Sequence, residues 1–188
     1  MKLRGQKVIL VPIKPEEKEE FHQLATQSYG SQFWYDQERK AHRNQAEFFK
    51  DWHEGYFDQN NQEIGQCFWI MVSGQKIGQV NYNKIDQHNK KVELDVIIGP
   101  KEYLGKGYGT DALKTLITYL FDNFNINKIW IEARANNPRA IRAYQKIGFQ
   151  QEGLLREENF FEGKFVNCIR FGLLKQNLKH KRHNSITV

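Results

Sequence analysis

The order of apolar and polar residues predicts one strand and two helices in the first third of the chain. Residues 7–13 form a short apolar run that is typical of a strand. Pro15 then opens a helical pattern that continues to about Gln27, with acidic residues in its first turn, where they stabilise a helix. Apolar residues at helical spacing over residues 43–57 predict a second helix that ends near Gly55.

The central part of the chain changes to the two-residue period of strands. Residues 67–72, 76–85 and 92–99 are three such segments, and the short polar turns between them predict three antiparallel strands. A glycine-rich loop follows and leads into a helical segment with one apolar face. That face consists of Leu113, Leu116, Ile117, Leu120 and Phe124.

The last part predicts a strand, a helix and a hairpin. Residues 127–133 form the strand, and the next helix has an Asn cap, Pro138 at its first position and Gly148 at its end. Residues 149–174 read as a hairpin around Glu162 and Gly163. Because the strands are grouped rather than alternating with helices, their order predicts an α+β fold. This fold would consist of a mixed, mostly antiparallel sheet of about seven strands with about four helices on its faces.

Composition and charge narrow the class of protein. A chain of 188 residues that is 39% hydrophobic and 27% charged is expected to form one domain, assigned to residues 1–176. No apolar run is long enough for a membrane span or a signal peptide, so a cytoplasmic location without membrane association is expected. The net charge of +6 arises largely from an acid-free end of the chain, a basic tail over residues 177–188, which makes nucleic acid an unfavoured partner.

Cysteine and histidine usage indicates neither a disulfide framework nor a metal site. Cys67 and Cys168 lie far apart in sequence and are interpreted as buried thiols. The six His residues have no ligand spacing, so no metal is inferred.

Residues 104–110, LGKGYGT, are the first candidate for chemistry. The loop lies between a predicted strand and a predicted helix, where glycines let backbone N–H groups approach an anion and the helix N-terminus adds partial positive charge. Its spacing differs from the ATP-binding and dinucleotide-binding glycine motifs, so another phosphate ligand is expected. Tight packing of a turn is the alternative explanation of these glycines.

A second motif, NPRAIRAYQKIGF over residues 137–149, makes the pair specific. Together the two motifs resemble the GCN5-related N-acetyltransferases, the GNAT superfamily, over about residues 93–149, although Leu104 stands where the family usually has Gln or Arg. The resemblance implies the GNAT fold and acetyl-CoA as donor, with its phosphates on the loop amides and its pantetheine arm in a splay of the sheet. The implied coenzyme-binding residues are Val96, Ile97, Ile98, Leu104, Gly105, Lys106, Gly107, Tyr108, Gly109, Thr110, Asn137 and Tyr144.

Acid–base candidates follow from strand periodicity and from the resemblance. Glu93 and Asp95 share one face of their strand, so two carboxylates would point together and could deprotonate an amine. Binding of a cation or simple exposure to solvent is the alternative for both. Tyr144 matches the family's proposed general acid, with packing as its alternative role.

The acceptor amine is left open between branches of the superfamily. The loop and the second motif look like aminoglycoside 6′-N-acetyltransferases, which would imply antibiotic resistance, whereas the C-terminal part looks like ribosomal-protein and spermidine acetyltransferases. Trp34, Tyr35, Asp36 and Tyr82 are candidates for an aromatic and acidic acceptor wall, with core packing as the alternative. The rival function is a non-catalytic GNAT-fold module that binds acyl-CoA or RNA, and a homodimer is compatible with either function.

Overall fold

The computed structural model describes residues 1–33, 44–58, 60 and 62–178, and its centre is a single mixed sheet. The strands are β1 (Leu3–Arg4), β2 (Ile9–Pro12), β3 (Gln66–Val72), β4 (Gln75–Tyr82), β5 (Lys91–Ile98), β6 (Lys128–Arg134), β7 (Gln150–Phe161) and β8 (Lys164–Leu174). Their order in the sheet is β1-β2-β3-β4-β5-β6-β8-β7, and β5–β6 is the one parallel pair among these strands. The predicted α+β class and mostly antiparallel sheet are confirmed, with a two-residue β1 too short for a periodic pattern to show.

The α-helices with both ends among the described residues are α1 (Lys18–Gln27), α2 (Gln45–Phe48), α3 (Tyr108–Asn123) and α4 (Pro138–Ile147), and residues 175–178 are also helical. The prediction of one continuous helix over residues 43–57 is wrong, because α2 is followed by two separate 3-10 turns. The break lies at Trp52, whose backbone is extended, and the indole packs edge-on against Phe21 with ring centroids 5.0 Å apart. Burying this aromatic side chain therefore determines the path of the chain here more than helical periodicity does.

The sheet has a hydrophobic layer on each face. Helices α3 and α4 pack on one face, where Val92 and Leu94 of β5 belong to the larger core. Helices α1 and α2 pack on the other, against Cys67 and Trp69 of β3. Because side chains alternate along a strand, Glu93 and Asp95 of β5 point to the α1 side. No helix among the described residues is long and apolar enough to cross a membrane.

Strands β5 and β6 separate after three residue pairs. Their parallel register begins at Lys91–Lys128 and ends at Glu93–Trp130, yet β5 continues to Ile98 and β6 to Arg134. The sheet therefore opens into a wedge between them. Since the backbone groups of Glu93 and Gly99 bond to the β4 side, the alternation of the strand directs the backbone of Val96 and Ile98 into the wedge.

The start of the chain is fastened to α3. The Asp111 carboxylate, in the first turn of α3, accepts hydrogen bonds from the backbone N–H groups of Gln6 (3.2 Å), Lys7 (2.7 Å) and Val8 (3.1 Å). An acid in this turn also interacts favourably with the helix dipole. The β1–β2 turn is thus held beside the glycine loop that precedes α3.

Gly30 controls how closely the 3-10 turn Tyr29–Phe33 approaches the end of β5. Its N–H donates to the Gly99 carbonyl at 2.7 Å, and a Cβ on Gly30 would overlap the carbonyl oxygen of Ile98. We expect Gly30→Ala to lower the free energy of unfolding by about 1–3 kcal/mol, because backbone must move to admit the methyl group. Urea denaturation measures this change.

Gly153→Ala is the matched control, because a Cβ on Gly153 meets no atom within 4 Å. Its unfolding midpoint should equal that of the wild type. Equal midpoints for both variants would show that the close approach at Gly30 does not constrain the fold.

Candidate active site

The wedge between β5 and β6 continues into a cleft of about 720 Å³. Its walls are β5, the glycine loop with the start of α3, β6, α4 and the β7–β8 hairpin. Eleven of the twelve residues predicted to bind the coenzyme line it, and these are Val96, Ile97, Ile98, Leu104, Gly105, Gly107, Tyr108, Gly109, Thr110, Asn137 and Tyr144. The structure thus brings both sequence motifs to one cavity.

The glycine loop has the geometry of an anion site. Gly105 and Gly107 have φ values of 75° and 85°, in the left-handed region that glycine adopts without strain. Gly107 is the N-cap of α3 and provides no side-chain cap, so the first backbone N–H groups of a sixteen-residue helix are available to a ligand. The nearby Lys7 ammonium donates to the Lys106 carbonyl at 3.0 Å and adds positive charge at the loop.

Lys106 does not line the cleft, unlike its neighbours in the loop. Its ammonium lies over the Tyr103 ring, 6.0 Å from the centroid. The cleft instead receives cations from α4, where Arg139, Arg142 and Lys146 all line it. Their spacing of three and four residues places them on one helical face. That spacing is visible in the sequence, although these three cations are not among the residues predicted for the site.

Two carboxylates lie together at the inner part of the cleft. Asn83, just after β4, donates through Nδ2 to Glu93 Oε2 at 3.0 Å and to Asp95 Oδ2 at 3.5 Å. Asn81 Nδ2 donates to the same Asp95 oxygen at 3.3 Å. The predicted pairing of Glu93 and Asp95 on one strand face is therefore present, and two asparagine amides stand beside them.

The environment keeps both carboxyl groups close to neutral pKa values. Burial, reinforced by the charges of Asp95 and Glu132, raises the pKa of Glu93 to about 7 against the hydrogen bond from Asn83. Burial likewise raises the pKa of Asp95 to about 6, opposed by its amide donors. Groups with such pKa values can take up and release protons near neutral pH, as a general base must.

Tyr144 reaches the cleft from α4. The Asn137 side chain caps this helix by accepting from the Ala140 N–H at 3.2 Å. The Tyr144 ring packs edge-on against Phe171 with centroids 5.8 Å apart. Burial and the nearby Asp95 charge raise the pKa of Tyr144, so its hydroxyl keeps its proton at neutral pH and is available as a donor. The packing that is the alternative role of Tyr144 is thus present, and the same residue lines the cleft.

Of the residues predicted for the acceptor wall, the structure describes only Tyr82. Trp34, Tyr35 and Asp36 lie outside the described residues. Tyr82 is wrongly assigned to the wall, because it is fully buried in the α3-side core and its hydroxyl donates to the Gln62 carbonyl at 2.8 Å. Its neighbour across the sheet is Leu94, so it points away from the face that carries the carboxylates.

The β7–β8 hairpin supplies two residues of the cleft that are not predicted from the sequence. Asn159 and Cys168 line the cleft, and Asn159 Nδ2 lies 2.6 Å from Cys168 Sγ. Cys168 is buried, as predicted, and burial raises the pKa of its thiol. A pattern of polar and apolar residues in a hairpin does not reveal which residues close a cavity formed by distant strands.

Comparison with known proteins identifies the family. The model of the GNAT acetyltransferase domain matches residues 7–150. A spermidine N(1)-acetyltransferase from Escherichia coli is 31% identical over 163 residues, which cover 87% of this chain and 83% of that protein. Among solved structures, the spermidine N-acetyltransferase of Vibrio cholerae in complex with CoA and spermine has a TM-score of 0.77 at 22% identity, covering 92% of this chain and 98% of that one.

A second solved structure shares the architecture. A ribosomal-protein α-N-acetyltransferase in complex with coenzyme A has a TM-score of 0.76 at 16% identity, covering 93% of this chain and 98% of the other. The wedge, the uncapped helix start and the two motifs agree with the match of the family model over most of the chain. The chain belongs to the GNAT family of acetyltransferases.

Proposed function

We propose that this protein transfers the acetyl group of acetyl-CoA directly to a primary amine of a small, multiply charged cation of the polyamine type. One observation carries the proposal, namely a pair of carboxyl groups with near-neutral pKa values at the inner part of a cleft that begins at an uncapped helix start. The 31% identity to a spermidine acetyltransferase supports the acceptor class.

The residues of the cleft fit the donor along its length. Gly105 has open space where a Cβ would stand, so the loop amides are accessible to a pyrophosphate. The cationic face of α4 lines the same cleft and suits the remaining phosphate charge. The backbone of Val96 and Ile98, which pairs with no residue of β6, can pair on that side with the amide groups of a pantetheine arm.

The carboxylates serve the acceptor. A primary ammonium has a pKa of about 10 and cannot attack until it loses a proton. Glu93 and Asp95 hold it by charge and accept that proton, which their raised pKa values permit near neutral pH. Glu132 also lines the cleft but is paired with Arg170, so the two carboxyls of Glu93 and Asp95 are the groups that favour an acceptor with more than one positive charge.

The thioester supplies an activated acyl group with a thiolate leaving group. Backbone N–H groups of β5 in the wedge stabilise negative charge that develops on the acyl oxygen. The Tyr144 hydroxyl, protonated at neutral pH, donates its proton to the departing thiolate. Direct attack is favoured over acylation of Cys168, because burial keeps that thiol protonated and a protonated thiol is a weak nucleophile.

Thiol release from acetyl-CoA in the presence of different amines tests this function. Spermidine and spermine should give turnover with higher kcat/KM than aminoglycosides or peptides with ribosomal-protein N-termini. A preference for peptides would replace the acceptor class. Binding of acetyl-CoA without turnover of any amine would favour the non-catalytic alternative.

Replacing Gly107 by Val should abolish binding of CoA to the folded protein. A β-branched residue disfavours a φ of 85° and places carbon atoms where the anion approaches the helix start. Isothermal titration calorimetry measures the loss.

Gly163→Val is the matched control, because Gly163 has a φ of 75° in the β7–β8 turn and open space around a Cβ. It carries a similar backbone penalty away from the cleft and should bind CoA as the wild type does. Wild-type affinity in Gly107→Val would refute the loop as the phosphate site.

Asp95→Asn and Glu93→Gln should each lower kcat/KM for the preferred amine, the more important base by about 10²-fold or more. In the wild type, kcat/KM should fall as the pH drops through about 7 and about 6, because protonated carboxyls cannot accept a proton. The pH profiles of the three proteins decide which group is responsible. Unchanged rates and profiles in both variants would exclude side-chain base catalysis.

The same carboxylates should reduce stability at neutral pH. The pKa of Asp95 is raised from 3.8 to about 6, so the folded state loses stability as the pH rises through this interval and the buried group ionises. Asp95→Asn should therefore be more stable than the wild type at about pH 8, by on the order of 1–2 kcal/mol, and nearly equal to it at about pH 4. Chemical denaturation at the two pH values checks this, and a variant less stable at pH 8 would contradict it.

A further inference from the structure

The amides of Asn81 and Asn83 form an ordered chain beside the carboxyl pair. Asn81 Nδ2 donates to Asn83 Oδ1 at 2.9 Å and to Asp95 Oδ2 at 3.3 Å. This contact occupies the only acceptor atom of the Asn83 side chain and so fixes which way its amide faces. Asn83 Nδ2 then stands between Glu93 Oε2, at 3.0 Å, and Asp95 Oδ2, at 3.5 Å.

We propose that Asn83 is a positioning residue that holds the carboxyl groups of Glu93 and Asp95 beside each other through one shared amide donor. The two hydrogens of one amide nitrogen point to two acids, and Asn81 keeps the amide from rotating. This inference rests on the proposed function, because it gives that base site its internal geometry.

The charges around the pair explain why a neutral donor is needed. From the described residues, Glu132 of β6 adds negative charge, and its own cation, Arg170 of β8, is bound to it at 2.6 Å. The thiol of Cys67, on β3, and the hydroxyls of Tyr56 and Tyr144 also lie near the pair, and their pKa values are raised mainly by burial and further by the charge of Asp95.

No cation among these groups bonds directly to Glu93 or Asp95. A lysine in place of Asn83 would hold both acids ionised and would compete with a cationic acceptor for them. A neutral amide donor stabilises the carboxylates while leaving their charge available to the acceptor.

A burial argument separates this role from ordinary packing. Asn81 is 1% exposed, and its Oδ1 has no hydrogen-bond partner among the described residues. A buried amide with an unsatisfied oxygen costs free energy that an apolar side chain at the same position would avoid. We therefore infer that the amide of Asn81 serves to orient the side chain of Asn83, to which it donates a hydrogen bond.

The test is a titration of the full-length protein without coenzyme or acceptor. Carboxyl ¹³C NMR of Glu- and Asp-labelled protein follows both groups in the wild type and in Asn83→Leu. Loss of the two N–H donors should raise the pKa values of both carboxyls by about one pH unit. Gln66→Leu is the control, since it removes a buried amide that bonds to the Tyr56 carbonyl at 3.1 Å rather than to the pair, and it should leave both titrations unmoved.

The pH dependence of kcat/KM should change in the same way. In Asn83→Leu the acidic limb should move to higher pH, and the value of kcat/KM on the plateau at high pH should fall by less than about tenfold. If Asn83→Leu does not fold, Asn83→Ser retains one donor in a smaller side chain and should give about half the shift. Unmoved carboxyl titrations in a folded Asn83 variant would overturn the positioning role. Absence of turnover in the wild type would refute the proposed function instead, and the NMR titration would still decide the role of Asn83.

Discussion

The site depends on the place where β5 and β6 stop pairing. Three parallel pairs join the two halves of the sheet, and beyond Glu93–Trp130 no strand among the described residues pairs with β5 on the β6 side. Unpaired backbone groups inside a protein are costly, so a sheet normally continues or is covered. Here the open edge coincides with the cleft. A ligand with amide groups can form the backbone hydrogen bonds that a neighbouring strand would otherwise form.

The alternation of side chains along β5 places its apolar residues and its carboxyl residues on opposite faces of the sheet. Val92 and Leu94 hold the strand to the α3-side core, while Glu93 and Asp95 emerge on the α1 side. The apolar residues that fix the strand and the two carboxyl residues are therefore interleaved in one segment. A shift of one residue in register would exchange them and destroy the core and the site together.

Much of the architecture could be predicted because its signals are local. The strand periods, the asparagine and glycine that bound α4, and the glycine loop before α3 all act over a few residues. The break in the helix after α2 could not be predicted, because it follows from the packing of Trp52 against Phe21 of α1. Tyr82 was misassigned for a related reason, since an aromatic residue between polar neighbours is equally compatible with a wall and with a core. Lys7 reaches the glycine loop through a tertiary contact that no periodicity encodes.

The hydrogen bonds between Asp111 and residues 6–8 affect the order in which parts of the protein can fold during synthesis. They join residues 103 to 105 positions apart, so the glycine loop acquires this support only after more than half of the polypeptide exists. Closing so large a loop carries an entropic cost that local helices and hairpins do not bear. During synthesis the N-terminal residues therefore lack their hydrogen-bond partner on α3 until that helix has been synthesised. The support of the glycine loop therefore forms late in folding, because it depends on a long-range closure as well as on the loop's own sequence.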